Sequence, residues 1–372
     1  MALGNREAQA PMERLFSPRG AAPPVVLAVG AERFDRLMVG AAEAAAGRGW
    51  RWSRRLRRPR DLVGDPELAA ADVLLIPGSD ICDQAVFAGA PRLRAVVSST
   101  IGVEGIDARA ASDRGVIVCN TPIPENYEGV AEGTILLILA SLYDLPGKMR
   151  LAATTWPDPQ DFDARMLWRK TVGLVGFGRI AQAVARRLSG WDVRLLAHTR
   201  SDKPLPAHVE RADLDILLAE SDIVVLLTSL NDETRRLIDT RRLAMMKPDV
   251  VIVNTSRGGV ADEAALYQFA KSNPSARLAL DVFEVEPLSP DSPLRGLPNV
   301  ILTPHVIAGT REVREAIHKA VVDNVTAILN GAPRNVCNPS ILEAWTARWG
   351  VPPPPPHAQP RRTPDNPPIA AG

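Results

Sequence analysis

The stretch Val172-Gly173-Leu174-Val175-Gly176-Phe177-Gly178-Arg179-Ile180-Ala181 decides the reading of the fold. An apolar, β-type run leads into Gly176, and a helical pattern opens at Arg179. Gly176 permits a tight turn, Gly178 leaves the backbone open to a pyrophosphate, and Ala181 puts a small residue where helix meets strand. The helix start offers unpaired N–H groups and the positive end of the helix dipole. Taken alone, Gly-x-Gly-x-x-Ala also describes a tight turn that binds nothing. Set between a strand and a helix, with a further strand beyond, it reads as a dinucleotide-binding turn that includes Arg179 and Ile180.

Working outward, short apolar runs alternate with helical periodicity. Residues 25–29, 73–76, 95–98 and 116–118 read as strands, with helices over 32–46 and 107–114. A long amphipathic stretch covers 125–143. A second series follows, with strands at 172–175, 193–197, 223–227, 250–254, 278–281 and 300–303 and helices including 179–189 and 262–272. A last helix, 310–330, is expected to pack back on the first series. Alternation of this kind predicts parallel sheets covered on both faces, hence two doubly wound α/β domains. The Ala/Pro/Arg-rich residues 1–23 read as a mobile arm, and 350–372, with the run Pro352 to Pro356, as an extended, disordered tail.

Composition narrows the function. A hydrophobic share of 46% is enough for full cores, and a net charge of +1 gives no general field for nucleic acid. The basic run 51–60 (RWSRRLRRPR) has thin aromatic interleaving and reads as a solvated face. No apolar run approaches the roughly 20 residues that span a bilayer, and no export pattern is read at the start. Cys82, Cys119 and Cys337 have neither metal-ligand spacing nor an even disulfide framework. The expectation is a cytoplasmic protein without metal, acting on a small molecule and not on nucleic acid or membrane.

Strand ends carry the chemistry of such folds. After the strand 193–197 comes His198-Thr199-Arg200-Ser201, with no carboxylate to accept from a ribose 2′-OH before Asp202. Arg200 can pair with a 2′-phosphate and Thr199 or Ser201 can hydrogen-bond it, which favours NADP over NAD. Thr228 and Thr255, also at strand ends, are read as further cofactor contacts. Reducing a 2-keto acid needs a group to hold the carboxylate, one to polarise the ketone and a proton donor. Arg suits the first two tasks and His, backed by a carboxylate, the third. One of each follows a strand: Arg257 in Asn254-Thr255-Ser256-Arg257-Gly258-Gly259, Glu286 in Asp281-Val282-Phe283-Glu284-Val285-Glu286-Pro287, and His305 in Leu302-Thr303-Pro304-His305. Singly, each also reads as an ordinary loop or surface residue.

With these motifs in order, the chain resembles the D-isomer-specific 2-hydroxyacid dehydrogenases, the family that includes glyoxylate/hydroxypyruvate reductase and D-3-phosphoglycerate dehydrogenase. The likeness covers about residues 70 to 335 and is strongest in 254–263 (NTSRGGVADE), 281–288 (DVFEVEPL) and 299–305 (NVILTPH). It implies that Arg257 binds and polarises the substrate, that Glu286 partners the acid/base His305, and that Asp281 lies near the nicotinamide amide. It also implies that the loop around Thr100, Ile101 and Gly102 holds the substrate carboxylate through backbone N–H groups. The implied fold is a Rossmann-type NAD(P)-binding domain, 121–305, inserted into a flavodoxin-like substrate-binding domain, 24–120 and 306–340, with a cleft that closes over the substrate. Dimerisation through the helix from Glu125 is implied as well. Glyoxylate or hydroxypyruvate is the first expectation for substrate. The chain departs from the family at Thr199, Ala181, Leu227, Ser229, Ala308 and Ile307, and a large Ile307 is expected to narrow the pocket. Two other functions stay open: a dinucleotide-sensing regulator of the same fold, and a dehydrogenase of another small anion such as phosphite or formate.

Overall fold

A computed structural model describes residues 22–154, 164–200 and 202–350. The proposed arm and tail therefore lie almost wholly outside the described residues, as do Trp156, Ser201 and His357. The strands are β1 (Val25–Val29), β2 (Arg51–Arg55), β3 (Val73–Ile76), β4 (Ala95–Ser98), β5 (Ile117–Cys119), β6 (Thr171–Val175), β7 (Arg194–His198), β8 (Val209–Arg211), β9 (Ile223–Leu226), β10 (Val251–Asn254), β11 (Arg277–Leu280) and β12 (Val300–Leu302). The helices are α1 (Asp35–Ala44), α2 (Pro66–Ala70), α3 (Gln84–Gly89), α4 (Ala108–Asp113), α5 (Pro124–Leu142), α6 (Leu145–Thr154), α7 (Arg179–Leu188), α8 (Leu214–Glu220), α9 (Thr240–Leu243), α10 (Glu263–Ser272), α11 (Arg311–Leu329) and α12 (Leu342–Trp349). The described residues form two compact units, one made of those up to Pro122 and from Ile317 on, the other of those within Ile123–Ala316.

The first unit holds a parallel five-stranded sheet in the order β2-β1-β3-β4-β5. Strands β1, β3, β4 and β5 are buried along their whole length, which is why their sequences are unbroken apolar runs and not alternations. Helices α2, α3 and α4 each open on an aspartate, Asp65, Asp83 and Asp107, whose carboxylate accepts from N–H groups of the first turn. The chain that returns after α11 is sewn to the outer edge of β5. Val118 N–H donates to Asn338 Oδ1 (2.8 Å), Asn338 Nδ2 donates to Val116 O (3.0 Å), and Cys337 N–H donates to Val118 O (2.7 Å). One amide side chain thus stands in for a missing strand.

Two features here differ from the sequence reading. The basic run is not a plain solvated face: Arg51–Arg55 is an edge strand whose guanidinium groups are partly engaged, Arg55 with Glu67 and, beyond it, Arg60 with Asp83. Lys/Arg-rich edges are a common way to keep an open strand from pairing with another chain. The second feature is α12, which lies beyond the expected end of the domain at 340. Its Trp345 is only 2% exposed and donates from Nε1 to Arg94 O (2.7 Å), while the Arg94 guanidinium lies over the Trp349 ring at 4.8 Å.

The second unit holds seven parallel strands in the order β12-β11-β10-β9-β6-β7-β8. Alternate residues of each strand serve two cores. Val172, Leu174, Val225, Val251 and Val253 face α5 and α7, whereas Val175, Val224, Leu226, Ile252 and Leu278 face α8 and α10. Chain order reverses at β6, which lies between β7 and β9, and open α/β sheets bind ligands outside the strand C-termini at such a point. The short strand β8 was not foreseen in the sequence. Among the described residues no single helix is long and apolar enough to cross a membrane.

Replacing Trp345 by Ala removes a buried indole and a hydrogen bond, so it is expected to cost about 3 kcal/mol. Urea unfolding measures this, and a loss below about 1 kcal/mol would show that α12 is not docked.

Candidate active site

The glycine turn sits at the switch point of the seven-stranded sheet. Gly176 has φ +96°, and a Cβ there would lie 2.8 Å from Leu227 O, so both backbone angle and space require glycine. Its N–H donates to His198 O at 2.9 Å. At Gly178, the N-cap of α7, a Cβ would meet nothing within 4 Å, and no side chain caps the helix. The missing side chain leaves open space in front of uncapped N–H groups, which fits a pyrophosphate. Ala181 is fully buried in the core behind, with Ile180 packed beside it. Arg179 donates to Tyr127 Oη of α5 (2.6 Å), its guanidinium 5.1 Å from the tyrosine ring centroid.

Past β7, Thr199 O accepts from Arg211 (3.3 Å), and exposed Arg200 forms an ion pair with Glu233. Thr228 follows β9 at the wall of the glycine turn. Thr255 is buried, its hydroxyl 2.8 Å from that of Thr134 on α5.

Arg257, Glu286 and His305 stand on three loops, after β10, β11 and β12. Buried Asn254 accepts from Ser256 N (3.1 Å) and Ser256 Oγ (2.9 Å) and donates to Arg257 O (3.1 Å), which closes the loop that presents Arg257. Arg257 Nη1 donates to Ser256 O at 2.7 Å. A Cβ on Gly258 would overlap the Phe283 carbonyl and the Glu284 amide, so the Arg257 loop lies directly on the main chain leading to Glu286. Glu286 Oε1 accepts from Phe283 N (3.2 Å), and its Oε2 lies 2.8 Å from His305 Nδ1, with the two side chains 22% and 42% exposed. Arg257, Glu286 and His305 thus belong to one unit, and His305 and Glu286 are in direct contact.

The His305 loop is wrapped around Asp281. This carboxylate, in a residue 3% exposed, accepts from Thr303 Oγ1 (2.7 Å), Val306 N (3.1 Å) and Ile307 N (3.2 Å), while Asp281 O accepts from His305 N (2.7 Å). Burial pushes the carboxyl up, and the Thr303 hydroxyl, the Val306 amide, His305 and the Ile307 amide oppose that shift. His305 itself has φ +56°, a left-handed backbone that a non-glycine residue adopts only when its surroundings hold it there.

Ile307, expected to narrow the pocket, is turned toward α5. Its side chain packs on Gly133 of α5, where a Cβ would overlap it, and joins the core; the exposed apolar neighbour of His305 is Val306. In the first unit, the loop after β4 uses its carbonyls internally. Thr100 O accepts from Thr121 N (3.0 Å), Ile101 O from Asn120 Nδ2 (2.8 Å) and Gly102 O from Ser98 Oγ (2.7 Å). The Thr100 amide donates to Ser98 Oγ (3.2 Å). Trp168 lies under Arg169 (4.0 Å to the ring centroid) and donates to Asp192 (3.3 Å), an ordinary surface contact. Among the described residues no cluster could hold a metal ion.

Residues 135–307 match the family model described as D-isomer specific 2-hydroxyacid dehydrogenase, NAD binding domain. A glyoxylate reductase of Pyrococcus furiosus is 35% identical over 304 residues, 78% of this chain and 89% of that protein. The chain belongs to the D-isomer specific 2-hydroxyacid dehydrogenase family. A structure of the NADPH-dependent glyoxylate/hydroxypyruvate reductase of Sinorhizobium meliloti, with NADP and malonate, is 27% identical with a TM-score of 0.75, covering 86% of this chain and 98% of that one. An NAD-dependent formate dehydrogenase of Staphylococcus aureus in complex with NAD is 25% identical with a TM-score of 0.75, covering 83% and 97%. As a member of this dehydrogenase family, the chain is an NAD(P)-dependent oxidoreductase that interconverts a small 2-keto acid and its D-2-hydroxy acid.

Gly258→Ala would force apart the main chains that carry Arg257 and Glu286. The expected cost is about 2 kcal/mol, seen as a thermal midpoint lower by roughly 4–8 °C, together with at least about a tenfold loss of kcat/KM. Unchanged melting and turnover would show that the two loops are not in contact.

Proposed function

We propose that the chain reduces glyoxylate or hydroxypyruvate, with His305 as acid/base, Glu286 as its partner and Arg257 as the group that binds and polarises the substrate. The 2.8 Å contact between His305 Nδ1 and Glu286 Oε2 carries this reading. It occupies one ring nitrogen and leaves Nε2 for the substrate oxygen. A bound reduced nicotinamide supplies the hydride to C2. His305 then gives its Nε2 proton to the carbonyl oxygen, and the product is the 2-hydroxy acid. Glu286 holds the ring in place through a carboxylate that Phe283 N in turn orients. Arg257 neutralises the substrate carboxylate and draws electron density from the ketone. The carboxylate role of the loop Thr100, Ile101 and Gly102 rests on its bonding. With the three carbonyls and the Thr100 amide engaged, the Ile101 and Gly102 amides are the pair assigned to the anion.

For the cofactor, the residues Gly176, Gly178, Arg179 and Ile180 hold the pyrophosphate, and Thr228, Thr255 and Asp281 line the path to the nicotinamide. The end of β7 offers Thr199 and Arg200 and no carboxylate, which supports NADP(H) as preferred cofactor. A homodimer through α5 is supported by exposed Leu136 on that helix, Tyr143 just past its end, and Leu145 and Met149 on the adjoining α6. The free thiols Cys82, Cys119 and Cys337 are in keeping with a reducing, cytoplasmic setting.

A panel of 2-keto acids with NADH and NADPH, read at 340 nm, tests the assignment. His305→Ala is expected to lower kcat at least about 100-fold, and Arg257→Ala to raise KM for the keto acid as well as lower kcat. Cofactor affinity should stay within about twofold in both. Full turnover by His305→Ala would remove the acid/base assignment. Absence of turnover on every keto acid by the parent chain, with tight cofactor binding, would point to a sensor.

A further inference from the structure

The acid that closes the cofactor's ribose site in this fold stands at the end of the second strand, here Thr199. The structure nevertheless brings a carboxylate to that place from elsewhere. Glu233, on the loop after β9, pairs with Arg200, on the loop after β7. Because β6 lies between β7 and β9, the pair joins the two loops that flank the Gly176–Gly178 turn. These are the loops toward which the adenosine end of a dinucleotide bound at that turn would extend.

Glu233 is held there by its own loop. Asn231 Oδ1 accepts from Glu233 N (3.0 Å) and Thr234 N (3.0 Å), and Thr234 Oγ1 donates to Ser229 O (2.7 Å). This is an Asx-type turn, so the carboxylate projects from fixed backbone. Arg211 fixes the opposite loop by donating to Thr199 O (3.3 Å) and Lys203 O (2.7 Å). The neighbouring charges are Asp202 and Lys203 on one loop and Asp232 on the other.

We propose that Glu233 is a specificity-determining residue for the cofactor: it competes with the 2′-phosphate of NADP for Arg200 and accepts from the 2′-OH of NAD in place of the absent aspartate. The proposal rests on the reading that Arg200 faces the ribose. With Glu233 present, a 2′-phosphate must displace a like-charged group to reach the guanidinium, while NAD finds a ready acceptor. On this reading the pair moderates the preference for NADP that Arg200 provides, and the balance is set within one exposed pair.

Dissociation constants of NADH and NADPH, titrated by their own fluorescence without substrate, together with steady-state kinetics at saturating glyoxylate, test this on the full chain for Glu233→Gln, Arg200→Ala and the double variant, and each shift in cofactor KM should appear equally in the dissociation constant. In Glu233→Gln the NADPH-over-NADH ratio of kcat/KM should rise about fivefold, through KM and not kcat, and the gain should shrink at high salt. In Arg200→Ala the ratio should fall, and adding Glu233→Gln should then give no further gain for NADPH. If Arg200→Ala leaves NADPH use intact, Arg200 does not face the ribose and the underlying reading fails. If Arg200→Ala lowers NADPH use but Glu233→Gln leaves the ratio within twofold, the role of Glu233 is overturned while that reading stands.

Discussion

One buried carboxylate, Asp281, organises the loop that carries His305. Left without donors, an ionised Asp281 at 3% exposure would cost several kcal/mol. The chain meets this by bending around it: β12 ends at Leu302, and Thr303, Val306 and Ile307 all turn donors inward. Residues 303–307 can do so only if the backbone reverses sharply, and the reversal falls on His305 at φ +56°. Such a conformation costs of order 1–3 kcal/mol, which the hydrogen bonds to Asp281 offset. The side chain at the apex of the bend is the one thrown outward, so the imidazole emerges toward Glu286.

From there the constraint passes through the main chain. Glu286 is oriented by the Phe283 amide, and the Phe283 carbonyl is the surface on which Gly258 rests. Gly258 follows Arg257, whose carbonyl is held by Asn254 at the end of β10. Three loops after three neighbouring strands, β10, β11 and β12, are thereby locked to each other by backbone contacts. Proton transfer tolerates little error in position, and this arrangement fixes the main chain from which the imidazole, the carboxylate and the guanidinium project. Ile307, seated on Gly133, ties the same block to α5.

Much of this was legible in the sequence because strand and turn chemistry is local. Unbroken apolar runs showed the buried strands to within a residue or so, and Gly176, Arg179 and Ala181 stand where the pattern placed them. Arg257, Glu286 and His305 lie after strands β10, β11 and β12, as the sequence placed them. What escaped depends on contacts distant in sequence. β8 is three residues long and mostly exposed, so it has no apolar pattern. β2 reads as a basic run because its side chains are only half-buried at a sheet edge. α12 is recognisable only once Trp345 meets Arg94, 251 residues away. The direction of Ile307 depended on the glycine at 133, a pairing that no spacing reveals. Asn254 and Thr303 lay inside the motifs, but their roles as loop clasps need the coordinates.

The two ends of the nucleotide site are built on opposite electrostatic terms. At the catalytic end the organising charge is buried, its partners are backbone amides and a hydroxyl, and salt screens such contacts little. At the other end Arg200 and Glu233, proposed to face the adenosine ribose, are 68% and 70% exposed and meet as side chains. Exposed pairs are worth little to stability, commonly under about 1 kcal/mol. A chain can therefore exchange these groups at little cost to the fold, whereas a change at Asp281 disturbs the bend, the imidazole and the packing together. On the proposed reading, chemistry is fixed where the structure is stiff, and cofactor choice is set where substitution costs least.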